Sequence, residues 1–276
     1  MLSGGVATTG ANSLVGGSVL ANGAVTTGDN GDVTGDVWSG GFATIGANSD
    51  IGGNVDGDGG ANVISASANV GSQNDVNTPP DLSAVRTDVL AEAQQVKDAQ
   101  VALFNKGMGT TLAATMTTNT TLAAGIYSAA SFSTTAGTTL TLEGDGSDDL
   151  SWIFNIADIL AFGGTSKIVM TNVGANASVY WNSYDGYISS GDGSSVIGTL
   201  LAKTYIMIGA NASVLNIGTS CGAVYSATSY VTAGDSAIIG GKGCSKGTVV
   251  SVSEPASLGL LMAALAFLGF RRSQKA

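Results

Sequence analysis

Residues 7–19 read ATTGANSLVGGSV and residues 43–55 read ATIGANSDIGGNV, so nine of thirteen positions are identical at an offset of 36 residues. Halfway between them, residues 25–37 read VTTGDNGDVTGDV and keep Thr, Gly, Asn and Val in register, which divides the offset into two steps of 18. A step of about 18 residues is typical of one coil of a three-sided β-helix, with short parallel strands and Gly or Asn corners. The repeat therefore predicts a β-solenoid.

Period-two alternation within each strand predicts which side chains of the repeat point outward. We expect inward side chains at Val25, Thr27, Ala43, Ile45, Ala61 and Val63, and on another side at Val19, Val37 and Val55. The outward positions that alternate with the first group of inward residues are Thr8, Thr26, Thr44 and Asn62. Because they are equivalent in successive coils, they should form a straight rank with a spacing of about 4.8 Å.

The same pattern returns in the second half of the chain. Alignment on the GAN corner predicts outward side chains at Asn172, Met207 and Thr232. A Thr-rich stretch lies between residues 110 and 142, and alternation around Leu140 points Thr139 and Thr141 outward.

Residues 78–105 interrupt the β pattern with an apolar stripe at helical spacing. The stripe consists of Leu82, Val85, Val89, Val96, Ala99 and Leu103. Thr78 is a favourable N-cap, Pro79 suits the first helical position, and Gly107 can end the helix. A helix with a single apolar stripe needs a surface to pack against, so we expect it to pack lengthwise along one side of the solenoid. A coiled-coil partner is the alternative.

Composition excludes several classes of function. Only 11% of residues are charged and 41 are Gly, which favours many short strands joined by tight turns. A net charge of −10 with ten Lys and Arg argues against nucleic-acid binding, which needs a cationic surface. Histidine is absent, which removes the commonest general base and metal ligand. We therefore predict no catalytic residues, no metal site and no cofactor.

Two cysteines, Cys221 and Cys244, lie far from any CxxC spacing. This separation favours a single disulfide in an oxidising compartment, and two unpaired thiols are the alternative.

An acidic loop and three aromatic residues are interpreted as structural and not as binding sites. Asp145, Asp148 and Asp149 lie in a Gly-rich loop, but their spacing resembles no known Ca²⁺ loop, so we interpret the loop as a solvated turn. Trp152, Tyr180 and Trp181 are interpreted as core or helix-packing aromatics and not as a sugar platform.

The composition changes again after Val252. An apolar run, LGLLMAALAFLGF, occupies residues 258–270 and is short for a membrane span of about 20 residues, but its basic flank fits retention on the cytoplasmic side. This region resembles a PEP-CTERM sorting tail in which Ser253 replaces the first proline. The residues that carry the motif are Glu254, Pro255, Ala256, Arg271 and Arg272. The resemblance implies export to a bacterial envelope, an apolar anchor helix in the membrane and processing by an exosortase.

Residues 1–5 are neither basic nor apolar for long enough to be a signal peptide. Because the tail implies export and Ala7 already lies inside a coil, we expect the native start to lie upstream of Met1.

Repeats, helix and tail together resemble the ice-binding-like β-solenoid family, whose antifreeze proteins and adhesins share a long helix beside a discontinuous three-sided β-helix. The resemblance is carried, in the family's order, by LAAGIY at 122–127, LTLEGDG at 140–146, WIFNI at 152–156, ASVYW at 177–181, GTLLA at 198–202 and GAVY at 222–225. It implies an all-β solenoid made of coils at 1–77, a lateral helix at 78–107, further coils of the same domain at 108–250, and the tail at 251–276.

The resemblance also implies a surface-displayed ice-binding protein that uses a flat face of Thr, Asn and Ser. The ice-binding candidates are Thr8, Thr26, Thr44, Asn62, Thr139, Thr141 and Thr232. Stacked Thr ranks fit any parallel β-helix, so a general surface or matrix adhesin is the alternative. A polysaccharide-active enzyme is a weaker alternative, because neither Lys167 nor Lys203 has a suitable carboxylate cluster in the sequence.

Overall fold

A computed structural model describes residues 1–57, 62–74, 82–217 and 221–241. Within these ranges, the chain forms one α-helix and many short strands, and every strand pairing is parallel. The strands stack into three ladders, which we call faces a, b and c. Successive strands of each coil lie on face b, then face c, then face a. The predicted all-β solenoid with one long helix is confirmed.

Each face is one ladder of strands that lie side by side along the solenoid axis. Face a contains β1 (Leu2–Ser3), β4 (Val19–Ala21), β7 (Val37–Ser39), β12 (Thr110–Thr111), β15 (Gly125–Ala129), β18 (Ser151–Ile156), β21 (Ser178–Ser183), β24 (Thr199–Ala202) and β27 (Ala223–Ser226). Face b contains β2 (Ala7–Thr9), β5 (Val25–Thr27), β8 (Ala43–Ile45), β10 (Val63–Ile64), β13 (Thr115–Met116), β16 (Phe132–Thr134), β19 (Leu160–Phe162), β22 (Ile188–Ser190), β25 (Ile206–Ile208) and β28 (Val231–Ala233). Face c contains β3 (Leu14–Val15), β6 (Asp32–Val33), β14 (Thr120–Ala123), β17 (Thr139–Glu143), β20 (Lys167–Thr171), β23 (Ser195–Ile197), β26 (Ser213–Leu215) and β29 (Ile238–Ile239). The longer strands β9 (Asp50–Gly57) and β11 (Asn69–Asn74) bend around a corner, from face c to face a.

The chain does not climb the solenoid in one direction. On face b the spatial order is β13, β16, β19, β22, β25, β28, β2, β5, β8 and β10. The first strands of the chain therefore lie in the middle of the stack and lead to one end, and after the helix the chain re-enters at the opposite end. The two parts meet where β28 pairs with β2, β27 with β1 and β29 with β3.

The step of 18 residues that the repeat predicts is present in the N-terminal coils. Thr8 pairs with Thr26, and Thr26 pairs with Thr44. In the second half the step varies, since Ser133 pairs with Ala161, 28 residues later, whereas Ser189 pairs with Met207, 18 residues later. The additional residues lengthen the strands of faces c and a, such as β17 and β18, and the turn between them, and the paired strands stay in register.

The predicted Asn corners are present, and their backbone is left-handed. Asn12, Asn30 and Asn48 have φ angles of 56°, 52° and 54° at the turn between faces b and c. Asn tolerates this conformation because its short polar side chain forms local hydrogen bonds.

The core between the three faces differs along the axis. In the N-terminal coils it consists of small aliphatic side chains such as Val19, Val37 and Val55, which are fully buried. In the longer C-terminal coils it is aromatic, and the Phe154 and Trp181 rings stack with centroids 4.0 Å apart. Trp152 and Trp181 are fully buried, as interpreted from the sequence.

Helix α1 (Leu82–Phe104) packs along face a. Its buried residues Val89, Val96 and Leu103 form one cluster with outward residues of that face, among them Leu2, Ile153, Leu201, Ala227 and Tyr180. The predicted apolar stripe is confirmed for these three helix residues and for Ala99, which packs against the same cluster. The Gly107 N–H donates to the Phe104 carbonyl over 3.0 Å. The predicted cap, Thr78, lies outside the described residues, as do the side chains of Leu82 and Val85.

A buried polar network also fixes the helix to face a. Asn155 and Asn182 are neighbours on β18 and β21, and the Asn182 amide donates to the Asn155 side-chain oxygen over 2.9 Å. Asn155 also donates to the Leu103 carbonyl, and Asn182 to the Gln100 carbonyl, over 2.9 and 3.0 Å. In return, the Gln100 amide donates to the Ser183 carbonyl. The helix is therefore fixed in register along the strands as well as buried.

Several predictions fall outside the described residues. They concern the tail at 251–276 with its motif and anchor helix, and the partner cysteine Cys244, so the pairing of Cys221 with Cys244 stays a prediction. Of the helical residues that the structure describes, none forms a stretch long and apolar enough to cross a membrane.

Candidate functional site

Faces b and c are the two sides of the solenoid that the helix does not cover, and they differ in charge. One outward rank of face c consists of Thr139, Lys167, Ser195, Ser213, Ile238, Leu14, Asp32, Asp50 and Asn69. This rank includes a lysine and two aspartates. On face b, every outward position in the middle of a strand is uncharged.

The central rank of face b is formed by the outward residue of each strand. In spatial order it consists of Thr115, Ser133, Ala161, Ser189, Met207, Thr232, Thr8, Thr26, Thr44 and Val63. Each position pairs in register with the next, so the rank is straight, with neighbouring strands about 4.8 Å apart. Four threonines, from Thr232 to Thr44, are consecutive.

An edge rank of apolar and aromatic residues lies on one side of the central rank, immediately before the face b strands. It consists of Ile159, Tyr187, Tyr205, Tyr230, Val6, Ala24 and Phe42. Several large hydrophobic side chains of these two ranks are exposed: Val6 is 44% exposed, Phe42 48%, Val63 60% and Met207 37%. Face b is therefore a broad uncharged surface with a substantial apolar part.

Three tyrosines of the edge rank form a stack. The ring centroids of Tyr187 and Tyr205 are 4.5 Å apart, and those of Tyr205 and Tyr230 are 4.9 Å apart, with interplanar angles of 13° and 10°. These distances match the spacing of the strands, so each ring rests on its neighbour and the three side chains hold each other in place.

A glycine rank borders the other side of the central rank, immediately after the face b strands. It consists of Gly163, Gly191, Gly209, Gly234, Gly10, Gly28 and Gly46. A Cβ on Gly28 would lie 2.5 Å from the Ala11 nitrogen, and one on Gly163 would lie 2.6 Å from the Thr134 carbonyl oxygen. Because the backbones of successive coils approach this closely, only glycine fits, and no side chain rises beside the threonines.

The structure brings together some of the predicted site residues and separates others. Thr8, Thr26, Thr44 and Thr232 are neighbours in the central rank of face b. Thr139 and Thr141 point outward as expected, but they lie on face c, where Thr139 pairs with Lys167. The candidates therefore belong to two different surfaces.

The predictions for Asn62 and Val63 were wrong by one position. Val63 pairs with Thr44 and points outward, and Asn62 precedes the strand. The Ala43 N–H donates to the Asn62 Oδ1 over 2.9 Å, at the place where Ala7 and Val25 donate to the backbone carbonyls of Ala24 and Phe42. The Asn62 side chain thus replaces a backbone carbonyl in the ladder, which shifts the alternation by one residue.

The prediction for Asn172 was also wrong. Asn172 follows β20 on face c in a left-handed turn with a φ of 53°, and its side chain donates to the Gly144 carbonyl over 3.0 Å. The GAN sequence that follows it leads from face c to face a, whereas Gly209 to Asn211 leads from face b to face c. The tripeptide serves two different corners, so alignment on it misplaced the strand.

The acidic loop at 145–149 uses its carboxylates for local structure. Asp145 accepts a hydrogen bond from the Ser147 N–H over 3.0 Å, and Asp148 accepts one from the Ala175 N–H over 3.1 Å. No group of three or more potential metal-ligating side chains occurs in the part of the chain that the structure describes.

Sequence reasoning missed the edge rank and its tyrosine stack. Each of the three tyrosines stands two residues before a central-rank position, namely Ser189, Met207 and Thr232. That spacing is a signal in the sequence, but it becomes visible only once the strands of face b are known. The longer and unequal coils of the second half conceal it.

A family model described as Ice-binding-like matches residues 41–239 of the chain, which is more than two thirds of its length. No match was found among curated protein sequences.

Solved structures of ice-binding proteins share the fold. One from the Antarctic ascomycete Antarctomyces psychrotrophicus aligns with a TM-score of 0.53 and 20% identity, over 87% of this chain and 92% of its own. One from an Arctic yeast, described in connection with antifreeze activity, aligns with a TM-score of 0.50 and 18% identity, over 85% and 90%. An ice-binding protein domain from Shewanella frigidimarina aligns with a TM-score of 0.50 and 19% identity, over 86% and 95%. At these identities the likeness concerns the fold alone.

Proposed function

Since the chain belongs to the ice-binding-like family, we propose that it binds ice and that face b is the surface in contact with the ice. The observation that carries this assignment is the straight central rank of face b, with four consecutive threonines and no charged member. Charged side chains orient water around themselves, and an ordered water layer needs a surface without them. Face c, with Lys167, Asp32 and Asp50 in one outward rank, lacks this property.

The threonines suit the task for two physical reasons. Their branched Cβ restricts χ1, so the methyl and hydroxyl groups keep fixed positions from one coil to the next. The solenoid backbone is already ordered, so docking onto a crystal costs little conformational entropy. The glycine rank adds a third condition, because it leaves the threonines without taller neighbours on one side.

The test compares two outward threonines on different faces. Thr26 lies in the central rank of face b, and Thr141 lies on face c, and both are half-buried. We expect the unsubstituted protein to partition into growing ice and to produce thermal hysteresis. Thr26→Tyr should lose most of both activities because the bulky ring lifts the face off the crystal, and Thr141→Tyr should keep them.

Equal losses in the two variants, or an unaffected Thr26→Tyr, would reject face b as the contact surface. Retention of the unsubstituted protein in the liquid fraction would reject ice binding and favour a general surface or matrix adhesin.

We also propose that the protein is exported and displayed on a bacterial cell surface. The support is the sequence of the tail, in which Glu254, Pro255 and Ala256 precede an apolar run and the basic pair Arg271 and Arg272. Processing by an exosortase would remove the apolar run. Mass spectrometry of the envelope-located protein should then find a C-terminus near Ala256, and an intact Ala276 would contradict processing.

A further inference from the structure

The coils that precede the family match lie inside the stack and not at one of its ends. The match begins at residue 41, yet β2 and β5 do not extend an end of the solenoid. On face b they lie between β28 and β8, which both belong to the matched segment. Two coils are therefore interposed in the middle of the stack, and they supply Thr8 and Thr26 to the central rank between Thr232 and Thr44.

The two borders of this interposed segment are nearly the same. Residues 3–13 read SGGVATTGANS and residues 39–49 read SGGFATIGANS. Their local structure agrees as well. The Ser3 hydroxyl donates to the Val6 carbonyl over 2.8 Å and the Ser39 hydroxyl to the Phe42 carbonyl over 3.1 Å, so both corners are closed by the same hydrogen bond. A coil that begins at Ala43 therefore presents to β28 almost the same surface as the coil that begins at Ala7.

Carboxylates at the corner between faces b and c alternate with a period of two coils, and so the interposed segment spans two coils and not one. Asp192, Asp235 and Asp29 each follow a residue of the glycine rank, and in the intervening coils the same position holds Ala210, Ala11 and Ala47. Each aspartate accepts a hydrogen bond from the alanine N–H of the next coil, over 2.9, 2.9 and 2.7 Å in that order. Alternation keeps like charges two coils apart, about 10 Å, and a unit of two coils preserves it.

We infer that residues 7–42 are a two-coil cassette that can be removed from or added to the middle of the solenoid and that sets the length of the ice-contacting face. This inference rests on the proposed function, in which ice is the ligand of face b. One cassette lengthens face b by about 10 Å and contributes two of the four consecutive threonines. Removal joins Val6 to Ala43, which brings Thr44 beside Thr232 and the Ala47 N–H beside the Asp235 carboxylate.

Three variants of the full chain test the inference, namely deletion of residues 7–42, deletion of residues 7–24, and tandem duplication of residues 7–42. Deletion and duplication of the two-coil unit should both give cooperative thermal unfolding and a β-solenoid circular dichroism spectrum. Thermal hysteresis should fall to about half or less in the deletion and rise in the duplication, because the run of consecutive threonines changes from four to two and to six, respectively.

Deletion of residues 7–24 tests the two-coil unit with a matched control. It places Asp29 in the coil next to Asp235, with the two carboxylates at adjacent corners. Asp29→Asn should therefore raise the melting temperature of this deletion variant, and the gain should shrink in high salt. In the undeleted protein the same substitution should bring no gain, because the neighbours of Asp29 are alanines.

The outcomes separate the two proposals. Failure of both two-coil variants to fold cooperatively overturns the cassette, whatever the ice activity. Folded variants whose hysteresis equals that of the undeleted protein overturn its role in setting the length of the face. An undeleted protein without ice affinity refutes the proposed function, and the folding of the variants then still decides whether residues 7–42 form a cassette.

Discussion

Thr232 pairs in register with Thr8, although one belongs to the last described coil and the other to the first. The junction between them is as regular as any step within the repeat, since the Val231 N–H donates to the Val6 carbonyl and the Gly10 N–H donates to the Ala233 carbonyl, over 3.0 and 2.7 Å. A single continuous rank thus results from two separate parts of the chain, and the length of face b depends on this junction.

Met207 lies between Ser189 and Thr232 in the central rank, and its long side chain is 37% exposed. Met207→Thr should extend the run of consecutive threonines to five and raise thermal hysteresis, because a branched side chain replaces a flexible one. Leu215→Thr is the matched control, since Leu215 is 36% exposed but lies on face c.

Hysteresis should not change in the Leu215 variant. A rise in both variants would mean that added hydroxyl groups act irrespective of the face, which the assignment of face b does not allow.

Asn155 fixes the end of helix α1 to face a. Its amide donates to the carbonyls of Leu103 and Gly107 over 2.9 and 3.2 Å, and the side chain is fully buried. Asn155→Ala removes both hydrogen bonds and also the buried oxygen that accepts from the Asn182 amide, and we expect a loss of about 2–4 kcal/mol in the free energy of unfolding. Gln94→Ala, which removes an exposed hydrogen bond to Asp98, should cost less than about 0.5 kcal/mol. Urea unfolding measures both, and similar losses would argue against the buried network as the anchor.

Two adjacent glycines test the close approach of the coils. A Cβ on Gly163 would lie 2.6 Å from the Thr134 carbonyl oxygen, whereas one on Gly164 would lie 3.3 Å from the Asp192 carbonyl oxygen as its nearest neighbour. Gly163→Ala should therefore destabilise the protein by about 1–3 kcal/mol, and Gly164→Ala by clearly less. Thermal unfolding of the two variants gives the comparison, and equal melting temperatures would refute the steric argument.

Tyr225 makes the stability of the helix side sensitive to alkaline pH. Burial raises its pKa to about 12, and the nearby Glu92 adds a smaller effect in the same direction. An unfolded tyrosine ionises at about pH 10, so the folded state binds the phenolic proton more tightly. The stability that the protonated Tyr225 contributes to the folded state is fully present below about pH 10. It is lost progressively as the pH rises towards 12.

Tyr225→Phe removes this proton linkage. The urea midpoint of the variant should fall less steeply with pH above about pH 10 than that of the unsubstituted protein. Parallel slopes in the two proteins would contradict the linkage.

The parts of the fold that followed from the sequence are those with a constant local period. The regular step of the repeat placed Thr8, Thr26 and Thr44 in one rank, and helical spacing identified Val89, Val96 and Leu103 as the packed side of α1. Both patterns are set by backbone geometry that repeats along the chain, so neighbouring residues suffice to recognise them. Where a local substitution altered the geometry, as at Asn62, the alternation alone gave the wrong residue.

The second half of the solenoid was less accessible to the same reasoning. Its coils differ in length because the strands of faces c and a and the turn between them hold different numbers of residues. The register between strands is set by hydrogen bonds across coils and not by spacing in the sequence. Asn172 illustrates the difficulty, since its corner sequence matches that of another turn on a different side. The tyrosine stack escaped notice for the same reason.

The sequence by itself determined the β-solenoid, its low content of charged residues, the lateral helix and the outward direction of the N-terminal threonines, because these properties depend on composition and on the periods of strand, helix and coil. The tertiary structure decided that the helix covers face a, that Thr139 and Thr141 lie apart from Thr8 on a charged face, and that Thr232 continues the rank at Thr8. Those relationships depend on which distant strands share hydrogen bonds, and pairing across the stack is a property of the folded chain as a whole.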